Sequence, residues 1–281
     1  MNVAFSLLVI ALLLVRSTYA LEPQAERVDV QPPLNAQKVA GLGRIKEIEK
    51  RFSIDASIER LNQDVSDLLP MVKENVIATE LLTTALVIDS EAAAQTLKNA
   101  LSEAREVLAF RPIAEAPVPD GFPGWTPVGE IRVNTYPAHR VARVKLKDDE
   151  TSGFWTLFRH IETNEVAMTA PVRMTYAGEL GERPRSTAMA FLYQSTEIGE
   201  TGEQGDVEVV DVASELALSI GMRGEVTADT VKKGAAFLKS WLADHADEIE
   251  AAGSWRVFGY NSPFVPVNQR YFEVQLPVRK K

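Results

Sequence analysis

Cysteine is absent from the 281 residues, and histidine occurs only three times. Without a thiol there can be no disulfide framework, no thiolate nucleophile, no cysteine-held zinc or iron–sulfur cluster and no Cys-x-x-Cys-His cofactor attachment. A basic surplus is missing as well, since 30 Lys and Arg stand against 39 Asp and Glu. Neutralising a phosphate backbone takes clustered cations, and the Arg279-Lys280-Lys281 tail is too short to provide them, so nucleic acid is not an expected partner. Neither a Gly-x-Ser-x-Gly elbow nor a His-Glu-x-x-His helix is present, and no enzymatic role is expected.

Long apolar runs are confined to the start. Phe5 to Val15 is too short to span a bilayer comfortably but has the length of a signal-peptide core, and Thr18-Tyr19-Ala20 supplies small residues at the cleavage position. Residues 1–20 therefore read as a signal for secretion or periplasmic export, with an uncleaved membrane anchor or an organellar address as the alternative. Removing them takes away Arg16 and leaves 29 basic against 39 acidic side chains. No membrane association is expected of the mature chain.

The composition of the chain is that of an ordinary globular protein, 46% hydrophobic and 25% charged. Residues 21–110 read as a small helical module. Ile58, Leu61, Val65 and Leu68 recur at three- and four-residue steps ahead of Pro70; Val72, Val76, Ile77, Leu81 and Leu82 repeat the spacing. Ser90 suits an N-cap for a third stretch with Leu97, Leu101, Ala104 and Leu108 on one face. Gly41-Leu42-Gly43 reads as a turn, and what the module contacts is left open. Residues 111–127 hold Pro112, Pro117, Pro119, Pro123 and Pro127, a composition that continues neither helix nor central strand, and are read as a linker.

Residues 128–281 change to strand character. Val128 to Leu146 is a long strand or two halves around Tyr136-Pro137. Next comes a helix carrying Phe154, Trp155, Leu157, Phe158 and Ile161, capped by Asp148-Asp149, then strands over Met168 to Tyr176 and Thr187 to Tyr193. After a Gly/Glu-rich loop the order recurs: strands at 207–212 and 215–223, a helix from Ala228 to Ile249, and strands at 255–260 and 270–278. Strand, helix, strand, strand, twice over, predicts an α+β fold: a distorted antiparallel β-barrel or half-barrel with two covering helices.

Three segments carry a resemblance. Phe154-Trp155-Thr156-Leu157-Phe158-Arg159-His160-Ile161 leads into Met168-Thr169-Ala170-Pro171-Val172. Ile220-Gly221-Met222-Arg223-Gly224 precedes the second helix, and Gly259-Tyr260-Asn261-Ser262-Pro263-Phe264 is followed by Arg270-Tyr271-Phe272-Glu273-Val274. In order and spacing the stretch from Trp125 to Val278 resembles the SOUL haem-binding protein family. The resemblance implies a reversible, non-enzymatic tetrapyrrole binder with haem held largely by apolar contact.

That implication selects candidate binding residues. Arg159 stands where relatives tend to carry a Lys near the propionates; His160 flanks it, and Phe158, Met168, Tyr260 and Phe264 would be apolar lining. The position of a proposed histidine ligand is Thr135 here, which puts axial ligation in doubt. His139, four residues on, shares a strand face with Thr135 unless a bulge intervenes. Glu273 alternates with Tyr271 and Gln275 and points outward or into a cavity. There it would support a second reading, a binding module for another amphipathic or cationic small molecule.

Overall fold

A computed structural model of the protein describes residues 34–52, 57–87, 92–146, 149–181 and 184–281. The expected signal segment, the Ser90 cap and Asp148 lie outside these residues. The chain forms two compact units. One holds the helices up to Arg111 together with Thr126–Ile131, and the other holds Pro112–Trp125 with Arg132–Lys281.

The first unit is built from α1 (Ala36–Phe52), α2 (Ile58–Val72), α3 (Val76–Leu86) and α4 (Ala93–Ala109). Their apolar stripes converge on Ile45, Ile48, Leu61, Val65, Leu68, Leu82, Leu97 and Leu101, all essentially inaccessible to water. The expected turn at Gly41-Leu42-Gly43 is instead the middle of α1. A β-carbon at Gly41 would come within 3.1 Å of Val72 Cγ1, so this glycine serves close approach of α1 and α2 rather than a change of direction. Pro70 lies inside α2, which runs on to Val72. The buried Asp64 is matched by Arg44 at 2.6 Å and Arg51 at 2.9 Å.

In the second unit β1 (Ile131–Tyr136) and β2 (His139–Lys145) precede α5 (Glu150–Thr163), β3 (Val172–Tyr176) and β4 (Ser186–Leu192). Then come β5 (Gly202–Gln204), β6 (Val207–Val212), β7 (Glu215–Arg223), α6 (Ala228–Asp244), β8 (Ile249–Ala251), β9 (Arg256–Gly259) and β10 (Tyr271–Lys280). The strands form one sheet in the order β1-β7-β10-β9-β3-β4-β2-β6-β5, with β8 on β10. Exchanging β1 with β6, β2 with β7, β3 with β9 and β4 with β10 reverses the first eight places, so the sequence repeat becomes a pseudo-two-fold whose seam is the β3–β9 pair.

The sheet is open and not closed into a barrel, because β1 and β5 end the path. The expected second helix is also shorter. His245 caps α6 after Asp244, and Ile249 joins the sheet opposite Lys280.

Register sorts the side chains into two faces, since residues opposite one another in an antiparallel ladder point the same way. Ile220, Val274, Val257, Met174, Met189 and Val144 form one continuous apolar row across six strands. This is the helix side: an added carbon at Gly234 of α6 would strike Val274, and one at Gly153 of α5 would lie 3.4 Å from Val144. The next row, on the opposite face, reads Gly221, Glu273, Phe258, Arg173, Ala190, Arg143 and Glu208. Charge is thus concentrated on the face without helices.

Candidate functional site

Glu273 is only 1% exposed. A carboxylate removed from water must be met by donors, and here they come from three strands and from the residue that follows a fourth. Tyr271 Oη donates to Oε1 at 2.7 Å; Ser219 Oγ and Gln275 Nε2 donate to Oε2 at 3.0 and 2.5 Å, and Tyr136 Oη lies 3.4 Å away. The Tyr260 hydroxyl also bonds to this carboxyl. Burial, and then the Glu273 charge, push the phenols of Tyr136, Tyr260 and Tyr271 well above the usual tyrosine range. They therefore stay protonated and keep donating. Arg256, 5% exposed, donates through Nε to Gln275 Oε1 at 2.8 Å, pairs with Glu215, and lies over the rings of Tyr136 and Phe258.

The chain from Pro112 to Trp125 straps this end of the face. Trp125 stacks on Tyr271 with ring centres 5.1 Å apart and planes within 4°, and it contacts Tyr260 at 4.3 Å. Phe122 meets Tyr136 and His139 edge-on. The two motifs that carried the family resemblance hold the strap. Asn261 donates to Ile113 O at 2.7 Å and accepts from Tyr271 N, while Ser262 N and Oγ donate to the Glu115 carboxylate at 2.6 and 2.8 Å. From the other motif, Thr169 Oγ1 donates to Leu192 O at 2.6 Å and Ala170 N donates to Pro117 O. Met168 and Tyr260 share the rim of a void of about 20 Å³.

An incoming cation at Glu273 would have to displace hydroxyls that already saturate the carboxylate. The packing therefore opposes the reading of Glu273 as the base of an open cationic pocket. Tyr260 likewise belongs to this packed cage.

The remaining candidates lie on or beside α5. Phe158 is 3% exposed and packs with Phe154 beneath the ring of Trp155, whose centre is 5.7 Å from its own. Trp155 is partly exposed and Arg159, one turn on, is exposed, with Nε donating to Trp155 O at 3.2 Å. His160 is buried with Nε2 on the Tyr193 hydroxyl at 2.8 Å; His139 is 3% exposed with Nδ1 on Pro137 O at 2.9 Å. Burial lowers the pKa of both imidazoles. Met168 is partly exposed and Phe264 is 57% exposed.

A cavity of about 610 Å³ runs along the start of α5 and the β5–β6 hairpin. Its size would suit a macrocycle, but Asp149, Glu203, Asp206 and Glu208 outnumber Arg143 and Lys145 there, an unfavourable field for a dianion. Sequence reasoning missed the cage partners Tyr136, Ser219 and Gln275 and the arginines Arg173 and Arg256. Alternation within each strand contained the signal, but pairing across strands is what brings these residues together.

A profile described as SOUL heme-binding protein matches residues 126–277. Among solved structures, EcmrR in its DNA complex is 14% identical over 54% of this chain, with a TM-score of 0.43; the match spans 58% of that chain. The isolated EcmrR C-terminal domain is 16% identical over 54% of this chain and 98% of its own, with a TM-score of 0.41. An uncharacterized conserved protein from Listeria innocua is 11% identical over 53% of this chain and 92% of its own, at 0.43. A search of curated proteins finds no match.

Proposed function

Because the chain belongs to the SOUL haem-binding protein family, we propose that its sheet unit binds a tetrapyrrole, haem, reversibly and without catalysis, in a protein exported by its first twenty residues. The observation that carries this reading is the family match from residue 126 to 277, which reaches into every strand of the sheet. The outer edge of α5 suits the chemistry. Trp155 offers a partly exposed ring braced from below by Phe158, and Arg159 beside it offers a guanidinium fork for a propionate. Met168 and Phe264 supply further accessible apolar surface.

The fit favours apolar contact over iron ligation. His160 is committed to Tyr193, and His139 is sealed beneath Phe122, so neither candidate presents a ring nitrogen at the surface. The strongly acidic balance of the chain also favours weak over tight retention of a dianionic ligand.

Titration of haem into the mature protein should give a saturable Soret change at micromolar concentration. Arg159→Ala should weaken binding roughly threefold to tenfold, the scale of one charge-assisted contact at a partly solvated site. Trp155→Ala should weaken it further. No saturable change in the unmodified protein would refute haem as the ligand; unchanged affinity in both variants would refute this face of α5.

A further inference from the structure

On the helix-free face, Arg143 of β2, Arg173 of β3 and Arg256 of β9 line one cavity of about 230 Å³ with Thr175, Ser254 and Pro277. Two buried donors among these arginines, Nε of Arg173 and Nη2 of Arg256, have no hydrogen-bond partner among the described residues. An idle buried N–H is costly, and two at the wall of one cavity indicate a missing acceptor.

The charges agree with the hydrogen bonding. Arg143 is answered by Glu208 at 2.9 Å and Arg256 by Glu215, whereas Arg173 has no carboxylate within ion-pairing distance among the described residues. Three cations thus share two carboxylates. Burial, reinforced by repulsion from Arg256, brings the Arg173 guanidinium down to about 10, a sign that its charge is poorly compensated. Arg173 and Arg256 are neighbours across the β3–β9 seam, where register pairs Arg173 with Phe258 and Thr175 with Arg256. Two planar forks converging from adjacent strands suit the several oxygens of one anion.

We propose that this cavity is a binding site for a small oxyanion of carboxylate or phosphate type, separate from the tetrapyrrole surface. Size sets the class. Pockets for drug-sized ligands run from about 300 to 1,000 Å³, so 230 Å³ takes a compact anion and excludes a macrocycle. The anion would accept from Arg173 Nε and Arg256 Nη2 and supply the absent counter-charge.

The test adds inorganic phosphate or succinate to the whole mature protein and follows the arginine Nε–Hε resonances by NMR together with thermal stability. The Arg173 resonance should move saturably with at least one of the two anions, and the same anion should raise the melting temperature. The more effective probe identifies the headgroup. Arg173→Gln should weaken binding about tenfold or more, and Arg143→Gln, at the solvent side, by a smaller factor. Haem affinity should be unchanged in Arg173→Gln, which keeps this site distinguishable from the haem surface on α5. An Arg173 resonance indifferent to both anions, or an affinity untouched by either substitution, would overturn the site. Competition between haem and phosphate that disappears in Arg173→Gln would overturn the small-anion assignment, because the cavity would then receive a propionate.

Discussion

The chemistry of Glu273 is decided by its neighbours more than by its own side chain. Its oxygens accept from Tyr271, Ser219 and Gln275, with Tyr136 and Tyr260 completing the set. Each phenol must remain protonated to donate, and burial beside a carboxylate enforces that. The consequence is a pH dependence of definite sign. In the unfolded chain these tyrosines ionise near their ordinary value of about 10, whereas in the folded chain they do so only well above it. Below pH 10 both states bind the same protons, so this contribution to stability is fully present. As pH rises past 10 the unfolded state loses protons first, and each cage tyrosine removes up to about 1.4 kcal/mol per pH unit. Absorbance titration should therefore show these phenols ionising together with loss of the fold rather than gradually before it. Glu273→Gln should destabilise the sheet unit at neutral pH by about 1–3 kcal/mol, because an amide N–H would face Gln275 Nε2 or a hydroxyl that now lacks an acceptor. Gradual tyrosinate formation in an intact fold would show that the cage is open to water.

Among elements, the start of α3 shows how much depends on one cap. Asn75 is buried; its Oδ1 accepts from Ala78 N at 2.9 Å and its Nδ2 donates to Val128 O at 2.7 Å. Gly129 makes room for it, at φ 76°, and a β-carbon there would fall 2.2 Å from Asn75 Oδ1. Gly129→Ala should therefore cost more than the 1 kcal/mol or so of left-handed strain alone, roughly 2–4 kcal/mol in denaturant unfolding of the helical unit. A loss within 1 kcal/mol would mean that Asn75 can move aside without penalty. Such a dependence is invisible along the sequence, because positions 75 and 129 share no periodic pattern. The strands at 207–212 and 215–223 were legible, since period-two alternation is local. Gly41 was not, because glycine marks a turn and a close helix contact alike, and only the partner Val72 tells them apart. The end of α6 was overrun for a related reason: Ile249 fits the helical spacing, yet its partner is Lys280 on a strand outside the helix.

At the scale of the molecule, the sheet separates two kinds of chemistry by parity alone. Even-numbered β10 residues Phe272, Val274 and Leu276 lie on the helix face, while Tyr271, Glu273 and Gln275 face the strap. The parity of each strand was readable in advance, and so was the alternation around Glu273. Closure was not: whether ten strands meet as a barrel depends on the pairing of β1 and β5, which no local pattern encodes. The strap was legible in part, since a tryptophan among prolines is too costly to leave in water and so pins the segment onto the domain that follows. Residues 112–125 have the composition of a linker, yet they are part of the sheet unit, and the family match begins only at residue 126. Trp125 is their main anchor: it is 1% exposed, stacks on Tyr271 and contacts Tyr260, both of which serve Glu273. Replacing it leaves a cavity against the cage and removes the ring that keeps water from it. Trp125→Ala in the full chain should destabilise the sheet unit by about 3–5 kcal/mol, which for a domain of this size lowers its melting transition by roughly 10 °C. The same variant should let the cage tyrosines ionise at lower pH than in the parent, since their elevated pKa rests first on exclusion of water. A transition within a degree or two of the parent, with an unchanged alkaline titration, would show that the strap merely lies on the sheet and that Tyr136, Tyr260 and Tyr271 seal Glu273 by themselves.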